Sequence, residues 1–366
     1  MEDERQAVRL YAGPQGAQET TTASGISRRA LLRGVAGLGL AAAAAPLLSG
    51  CGSDDPPSTL APPETTTIRL PRAALTTAAA MALASDFLKE EGFTDVQYLS
   101  PTRPEAIFSE FAAGKFDMAL VPAPTAVHRI DTGAPFVVLG GINAGSFQIY
   151  ASPAIRSLSD FRGKVITTSG RGNNDDTFLA LTLANVGVDV RKEVTVISRP
   201  HDQAVQALIS GEVDGMTTFG PFSHRLRVDN IGHVVLDASV DRPWSQYFNG
   251  LPTVHRDFLE KNPVATRRAL RAMFRAADVI AKDPERGAQA MKAQGFIPDA
   301  LYAATLSELR PIPYDVWRKY EPADTLRFYA LRLKEAGFIQ STPDEVIRRG
   351  ADFRFLRDLK RELKET

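Results

Sequence analysis

The chain has 366 residues, with 43 basic and 43 acidic side chains, so its formal charge is zero. That balance excludes a basic nucleic-acid binder held chiefly by counterion release. Hydrophobic residues at 44%, charged at 23% and aromatic at 8% exclude collagen-like and wholly disordered chains. At roughly 100–200 residues per domain the length predicts about two lobes, and the single cysteine, Cys51, excludes a fold resting on internal disulfides.

In chain order, residues 1–26 are polar and irregular, and Ser27-Arg28-Arg29 then leads into an uncharged, Ala- and Gly-rich run from Gly34 to Gly50. The run is shorter than the about 20 strongly apolar residues a spanning helix needs, so it reads as an export signal. Arg28 and Arg29 form a twin-arginine pair, and Leu48-Ser49-Gly50-Cys51 resembles a lipobox in which the Cys51 sulfur takes a lipid and the chain is cut before it. Residues 1–50 are therefore expected to be a twin-arginine-type lipoprotein signal peptide. Residues 51–64, rich in Pro, Ser and Thr, are expected to be a flexible tether. The expected location is extracytoplasmic, with the membrane reached through the lipid anchor alone.

From Thr65 onward, short β-branched or apolar runs alternate with helical patterns, which predicts an α/β architecture with largely parallel sheets. Thr66–Leu70 reads as a strand, Ala78–Glu91 as a helix, Val96–Ser100 as a strand and Arg103–Ala113 as a helix. Gly114-Lys115-Phe116-Asp117 turns into the apolar strand Met118–Val121, which Pro122-Ala123-Pro124 ends. Phe136–Ile142 and Phe147–Ala151 read as strands around the turn-forming stretch Asn143-Ala144-Gly145-Ser146. The pattern then restarts with strand Val165–Thr168, a Gly- and Asn-rich loop Ser169–Asp176 and helix Thr177–Val186. Strand Val194–Ser198, helix Asp202–Ile209, turn Gly211-Glu212-Val213-Asp214 and strand Gly215–Thr218 follow.

The two turns, at Gly114–Asp117 and Gly211–Asp214, each sit between a helix and an apolar strand, which predicts two lobes of one topology. Val234–Ala238 is expected to carry the chain back toward the first lobe. Arg- and Glu-studded helices follow over Pro263–Ala281, Pro284–Gln294, Pro298–Leu309, Pro322–Ala336 and Thr342–Glu365. The expected division is 65–150 for the first part of lobe 1, 151–240 for lobe 2, and 241–366 for the return to lobe 1 with the C-terminal helices.

Three stretches resemble a known group. They are Leu158-Ser159-Asp160-Phe161-Arg162-Gly163-Lys164-Val165, the Gly211–Asp214 turn leading into Thr218-Phe219-Gly220-Pro221-Phe222, and Pro263-Val264-Ala265-Thr266-Arg267-Arg268-Ala269-Leu270. The group is the solute-binding proteins of nitrate, sulfonate, taurine and thiamine-precursor ABC importers, and the resemblance runs from about Thr65 to the C-terminus. It implies a type II periplasmic-binding-protein fold: two lobes, each a mainly parallel sheet flanked by helices, with a ligand cleft between them. It further implies capture of a small polar organic solute or an oxyanion, sulfonate-, nitrate-, taurine- or pyrimidine-like, by cleft closure. The implied partners are an ABC permease and its ATPase, with no nucleic acid, no cofactor and a monomeric chain. The motifs are scaffold motifs and speak to fold more than to ligand.

In open α/β sheets ligands settle beyond the carboxyl ends of the strands. That rule points to the loops Pro71–Ala74, Pro122–Thr125, Asn143–Phe147, Ser169–Asp175, Thr218–Pro221 and Asp241–Tyr247, and within them to Arg72, Pro124, Ser146 and Phe147. Ser169, Arg171, Asn173 and Asn174 precede a helix whose N–H groups suit an oxyanion, whereas two acidic residues in that loop favour an amine-bearing or heteroaromatic solute. Phe219 is a candidate because the resembling family often turns an aromatic to the solute at this position. Trp244 and Tyr247 belong to Arg242-Pro243-Trp244-Ser245-Gln246-Tyr247-Phe248-Asn249, a set suited either to stacking on a planar ring or to clasping a hinge. The five histidines are scattered without ligand spacing, so no metal site is expected, and no catalytic residue is assigned because no nucleophile elbow appears. Two alternatives remain: a solute sensor of the same fold, and an enzyme similar to the thiamine-pathway pyrimidine synthases, whose cysteine-rich iron motif has no counterpart here.

Overall fold

The computed structural model describes residues 61–103, 106–170 and 173–363. Cys51, Arg28 and Arg29 lie outside the described residues, as does Arg171.

The first sheet begins with β1 (Thr67–Pro71), whose Ile68 and Leu70 are fully buried, paired in parallel with β2 (Asp95–Leu99). β3 (Met118–Pro122) is buried along its whole length, as a central strand must be, and pairs antiparallel with β11 (Phe248–His255). β11 pairs in turn with β4 (Phe136–Val138) and with the short β5 (Asn143–Ala144). Asp117 joins β1 to β3: its N–H donates to the Arg69 carbonyl at 2.8 Å, and its carboxylate accepts the Arg69 N–H at 2.7 Å.

The second sheet has the order β10-β6-β9-β7-β8, from β6 (Phe147–Ala151), β7 (Val165–Thr168), β8 (Thr195–Ser198), β9 (Gly215–Phe219) and β10 (His233–Asp237). Asp214 does here what Asp117 does in the first sheet. Its N–H donates to the Val165 carbonyl at 2.7 Å and its carboxylate accepts the Val165 N–H at 2.9 Å. The repeated turn is thus a strand clamp used twice. In the second sheet β10, β9, β7 and β8 run one way and β6 runs against them, while in the first half β11 runs against β3, β4 and β5, and β1 and β2 form a parallel pair beside them.

The first half contributes α1 (Ala79–Glu90), α2 (Ile107–Ala112) and α3 (Ala123–Asp131), and the second α4 (Asn174–Asn185), α5 (His201–Ser210) and α6 (Ser223–Val228). After β11 come α7 (Arg256–Lys261), α8 (Pro263–Lys282), α9 (Pro284–Ala293), α10 (Tyr302–Leu309), α11 (Pro322–Glu335), α12 (Pro343–Gly350) and α13 (Arg354–Glu362). α8 lies along α1, α9 along α1 and α10, and α11 along α3. One large apolar core spans both sheets, while a small separate one, around Val205, Met216 and Leu226, lies under α5 and α6. No helix among the described residues is long and apolar enough to cross a membrane.

Four expectations are corrected. The strand at 233–237 stays in the second sheet, and the chain returns instead through β11, whose Gly250 and Pro252 disguise a buried strand. Pro122-Ala123-Pro124 opens α3 directly, because proline in a first helical turn removes only an N–H that has no partner there. The helix expected over 342–365 breaks between Gly350 and Arg354, where Ala351 bridges Val138 and the Asp352 N–H donates to the Val138 carbonyl. β6, expected in the first lobe, stands in the second sheet, so by strand membership the chain leaves the first sheet at Gly145-Ser146, ahead of the expected boundary at 150.

Candidate functional site

The chain passes between the sheets twice, from β5 to β6 through Gly145-Ser146 and from β10 to β11 through residues 238–247. The two passages touch. A Cβ on Gly145, whose φ is +79°, would lie 2.5 Å from the Ser239 Cα, so only glycine permits this approach. Ser146 has φ +95°, a costly conformation for a residue with a side chain. It is held by its N–H donating to the Ser239 hydroxyl at 3.3 Å and by the Asn249 amide donating to its own hydroxyl at 2.8 Å. Two crossings pinned to each other have the geometry of a hinge.

At the carboxyl edge of the second sheet, Asp175 organises the loop after β7. Its carboxylate accepts from the Ser169 N–H at 2.6 Å, the Ser169 hydroxyl at 2.7 Å and the Thr217 hydroxyl at 3.1 Å. Burial pushes this carboxyl up, against the pull of the Ser169 bonds. Asp175 is therefore a staple within the loop, and its acceptor capacity is spent there. Around it, the Thr168 hydroxyl at the end of β7, the Asn174 Oδ1 at the start of α4 and the His201 Nδ1 at the start of α5 are buried atoms without a protein partner. Buried polar atoms are normally paired, and these three stand on segments that end or begin at the carboxyl edge of the second sheet, which leaves that edge with hydrogen-bonding capacity to spare. His201 Nε2 lies 2.9 Å from the Thr218 hydroxyl, and burial, helped by the Arg225 charge, holds the imidazole pKa down at about 4. A ring contact joins His201 to Phe222 with centroids 5.1 Å apart, and Phe222, Phe219, Phe147 and Phe178 continue the aromatic series at 5.5, 6.0 and 4.9 Å.

The first sheet presents a less polar edge. Pro124 is buried in the first turn of α3, and the Arg72 guanidinium points to the turn at Gly295 with its Nε buried and unpartnered. The two edges meet at the Thr76–Ala78 turn that precedes α1. The Thr76 N–H donates to the Gly220 carbonyl at 3.2 Å, and Thr76 is itself fixed by the Tyr314 hydroxyl, which donates to its carbonyl at 2.7 Å. α3 and α4, which begin at the carboxyl ends of β3 and β7, also pack together.

Of the residues expected from sequence, Ser169, Asn173 and Asn174 share one loop, with the Asn173 amide donating to the Ser169 hydroxyl at 3.2 Å. Phe147 and Phe219 share the aromatic series, and Ser146 stands in the hinge. Trp244 is placed otherwise. It is 2% exposed and packs on Phe178, Phe328 and Tyr329, so it clasps the halves and has little surface left for a solute. Tyr247 stacks on Phe328 at 4.0 Å with the rings nearly parallel. Thr76, Thr168 and His201 were missed, and Thr218 fell inside a predicted site loop without being singled out. Their only signal is position: Thr168 ends β7, Thr218 is the last residue but one of β9, His201 opens α5, and Thr76 opens the turn before α1. No group of three potential metal ligands occurs among the described residues.

Residues 61–294 match the model of a family described as NMT1-like. No protein of curated function matches the sequence significantly. Among solved structures, the periplasmic nitrate-binding protein NrtA from Synechocystis PCC 6803 is similar with a TM-score of 0.69 at 16% identity, covering 83% of this chain and 90% of that one. The alkanesulfonate-binding protein SsuA from Xanthomonas axonopodis pv. citri, bound to MOPS, gives 0.60 at 15%, covering 76% and 95%. A Candida albicans gene product described as exhibiting the generic periplasmic binding protein fold gives 0.62 at 10%, covering 78% and 96%. At such identities the likeness establishes the two-lobed fold.

Proposed function

This chain belongs to the NMT1-like family, and from that premise we propose that it is the extracytoplasmic, solute-capturing component of an ABC importer. In this reading Cys51 carries the lipid, residues 51–64 tether the body, and the chain works as a monomer with a permease and its ATPase. It binds without transforming what it captures. The solute is a small polar organic molecule or oxyanion. The observation that carries the reading is the joining of two halves at Gly145-Ser146 and Ser239, with their carboxyl edges in contact through Thr76 and Gly220 and with Thr168, Asn174 and His201 of the second half holding buried polar atoms without protein partners. The closeness to nitrate- and sulfonate-binding structures supports the same class of solute.

A ligand that binds only the native state raises stability by RT ln(1 + [L]/Kd), about 2.7 kcal/mol at a hundredfold excess over Kd. A thermal-shift screen of nitrate, taurine, alkanesulfonates and pyrimidines is expected to show one class raising the melting temperature by several degrees. No shift from any of them would overturn the reading. Replacing Cys51 by Ser should move the chain from the membrane to the soluble fraction.

A further inference from the structure

One of the contacts between the two halves away from the hinge is built around a carboxylate. Glu308 lies on α10, which packs against α9 and the Thr76–Ala78 turn and so belongs with the first half. Its side chain is 6% exposed. One oxygen accepts from the fully buried Ser223 hydroxyl at 2.9 Å, and the other is ion-paired with Arg227. Both partners stand on α6 of the second half. Arg227 also lies close enough to the Tyr150 hydroxyl on β6 for its charge to act on it, which places the pair beside the second sheet. Beside it, Gly220 lies between Thr76 and Glu308. A Cβ there would lie 2.8 Å from the Glu308 Cβ and 2.9 Å from the Thr76 hydroxyl.

We infer that Glu308 is a positioning residue that latches the two halves together in the closed arrangement, with Gly220 as the clearance that lets the latch engage. The inference rests on the capture reading for its functional meaning, but not for its existence. Opening about the hinge separates α10 from α6, breaks the Thr76–Gly220 and Glu308–Ser223 bonds together, and leaves a carboxylate that the first half alone does not pair. These bonds exist only while the halves are together and lie in a site shielded from water, so they favour the closed form to the extent that their strength exceeds the hydration the groups regain on opening, and the closed form is then populated more than the solute contacts alone would achieve. Since apparent affinity scales with the fraction of competent conformer, the latch sets affinity without touching the solute.

The test is amide hydrogen exchange on the full chain without solute. The Thr76 N–H is protected by a bond across the halves, so its exchange reports opening. Glu308→Gln is expected to speed exchange at Thr76 and across residues 220–227 on the order of tenfold while β1 and β7 remain protected, and Gly220→Ala to speed it further. Unchanged exchange at Thr76 in both variants, or equal acceleration throughout both sheets, would overturn the latch. As a second readout, Glu308→Gln should raise the dissociation rate of taurine severalfold with little change in its association rate. Should taurine not bind the unaltered chain, the capture reading loses a solute while the exchange result still decides the latch.

Discussion

The two halves share a strand order, a clamp and one large core, but they do not share it equally. In the first half, Asp117 is shielded from water, with 6% of its side chain exposed, and its carboxylate also takes the Arg69 guanidinium at 2.5 Å. In the second, Asp214 is 29% exposed, and Lys164 stands 3.9 Å away. The large core runs behind the whole first sheet, whereas the outer face of the second sheet has only the small cluster under α5 and α6, rimmed by the exposed Ile209, Val228 and Val234. The same topology therefore yields a rigid half that carries the C-terminal helices and a lighter half whose carboxyl edge holds the unpartnered polar atoms. Local opening is drawn from elements with few buried apolar contacts, so the lighter half is the one suited to move and to recognise.

Trp244 is the strongest way to break that contrast, because it bridges the halves by touching Phe178 on α4 and Phe328 and Tyr329 on α11. Replacing it by Ala should cost about 3–5 kcal/mol in denaturant unfolding and split one thermal transition into two, the second half melting first. A variant that loses that stability and still melts in one step would refute the division. Tyr247→Ala, at a partly exposed stack, should cost about 1–2 kcal/mol and leave a single transition.

The clamps give a more direct comparison. Asp117→Ala removes a shielded carboxylate from a strand N–H and a guanidinium and should cost about 2–3 kcal/mol, while Asp214→Ala, better hydrated, should cost about 1 kcal/mol. Equal losses in urea titrations would mean that the clamps are equivalent and that the halves differ only in their outer cores.

Those two turns also show what a single sequence can reveal. Gly114-Lys115-Phe116-Asp117 and Gly211-Glu212-Val213-Asp214 were readable as a repeat because glycine, an apolar residue and an acid recur in one local order, and local order is what pattern carries. β11 was not readable, since its burial comes from β3, β4 and β5 on either side, and Gly250 and Pro252 contradict strand propensity; the neighbours override it. The site was half readable for the same reason. Ser169, Asn173 and Asn174 sit in one loop and announce themselves together, but Thr76, His201 and Thr218 come from distant segments that only the folded edge brings near each other. Trp244 stood open between two readings, because an aromatic suited to stacking on a ring is equally suited to packing between two halves, and composition does not tell the two apart.

The last comparison concerns protons. Burial holds the folded His201 pKa at about 4, against an ordinary value near 6.5. Between those values the unfolded chain binds the extra proton, so the stability is fully present above pH 6.5 and is lost as pH falls toward 4. Between pH 7 and pH 5 this amounts to roughly 2 kcal/mol at most, and less where water reaches the ring. Asp175, whose carboxyl is pushed up by burial, contributes with the opposite sign, so the quantity to measure is the difference between the unaltered chain and His201→Gln across that range. His128 on α3 is the matching control in the first half: burial lowers it too, and the neighbouring Arg129 adds to that while Asp131 opposes it. His128→Gln should flatten the profile less, because that ring is partly exposed and Asp131 favours its charged form. A larger change at His128 than at His201 would place the buried titrating group in the wrong half.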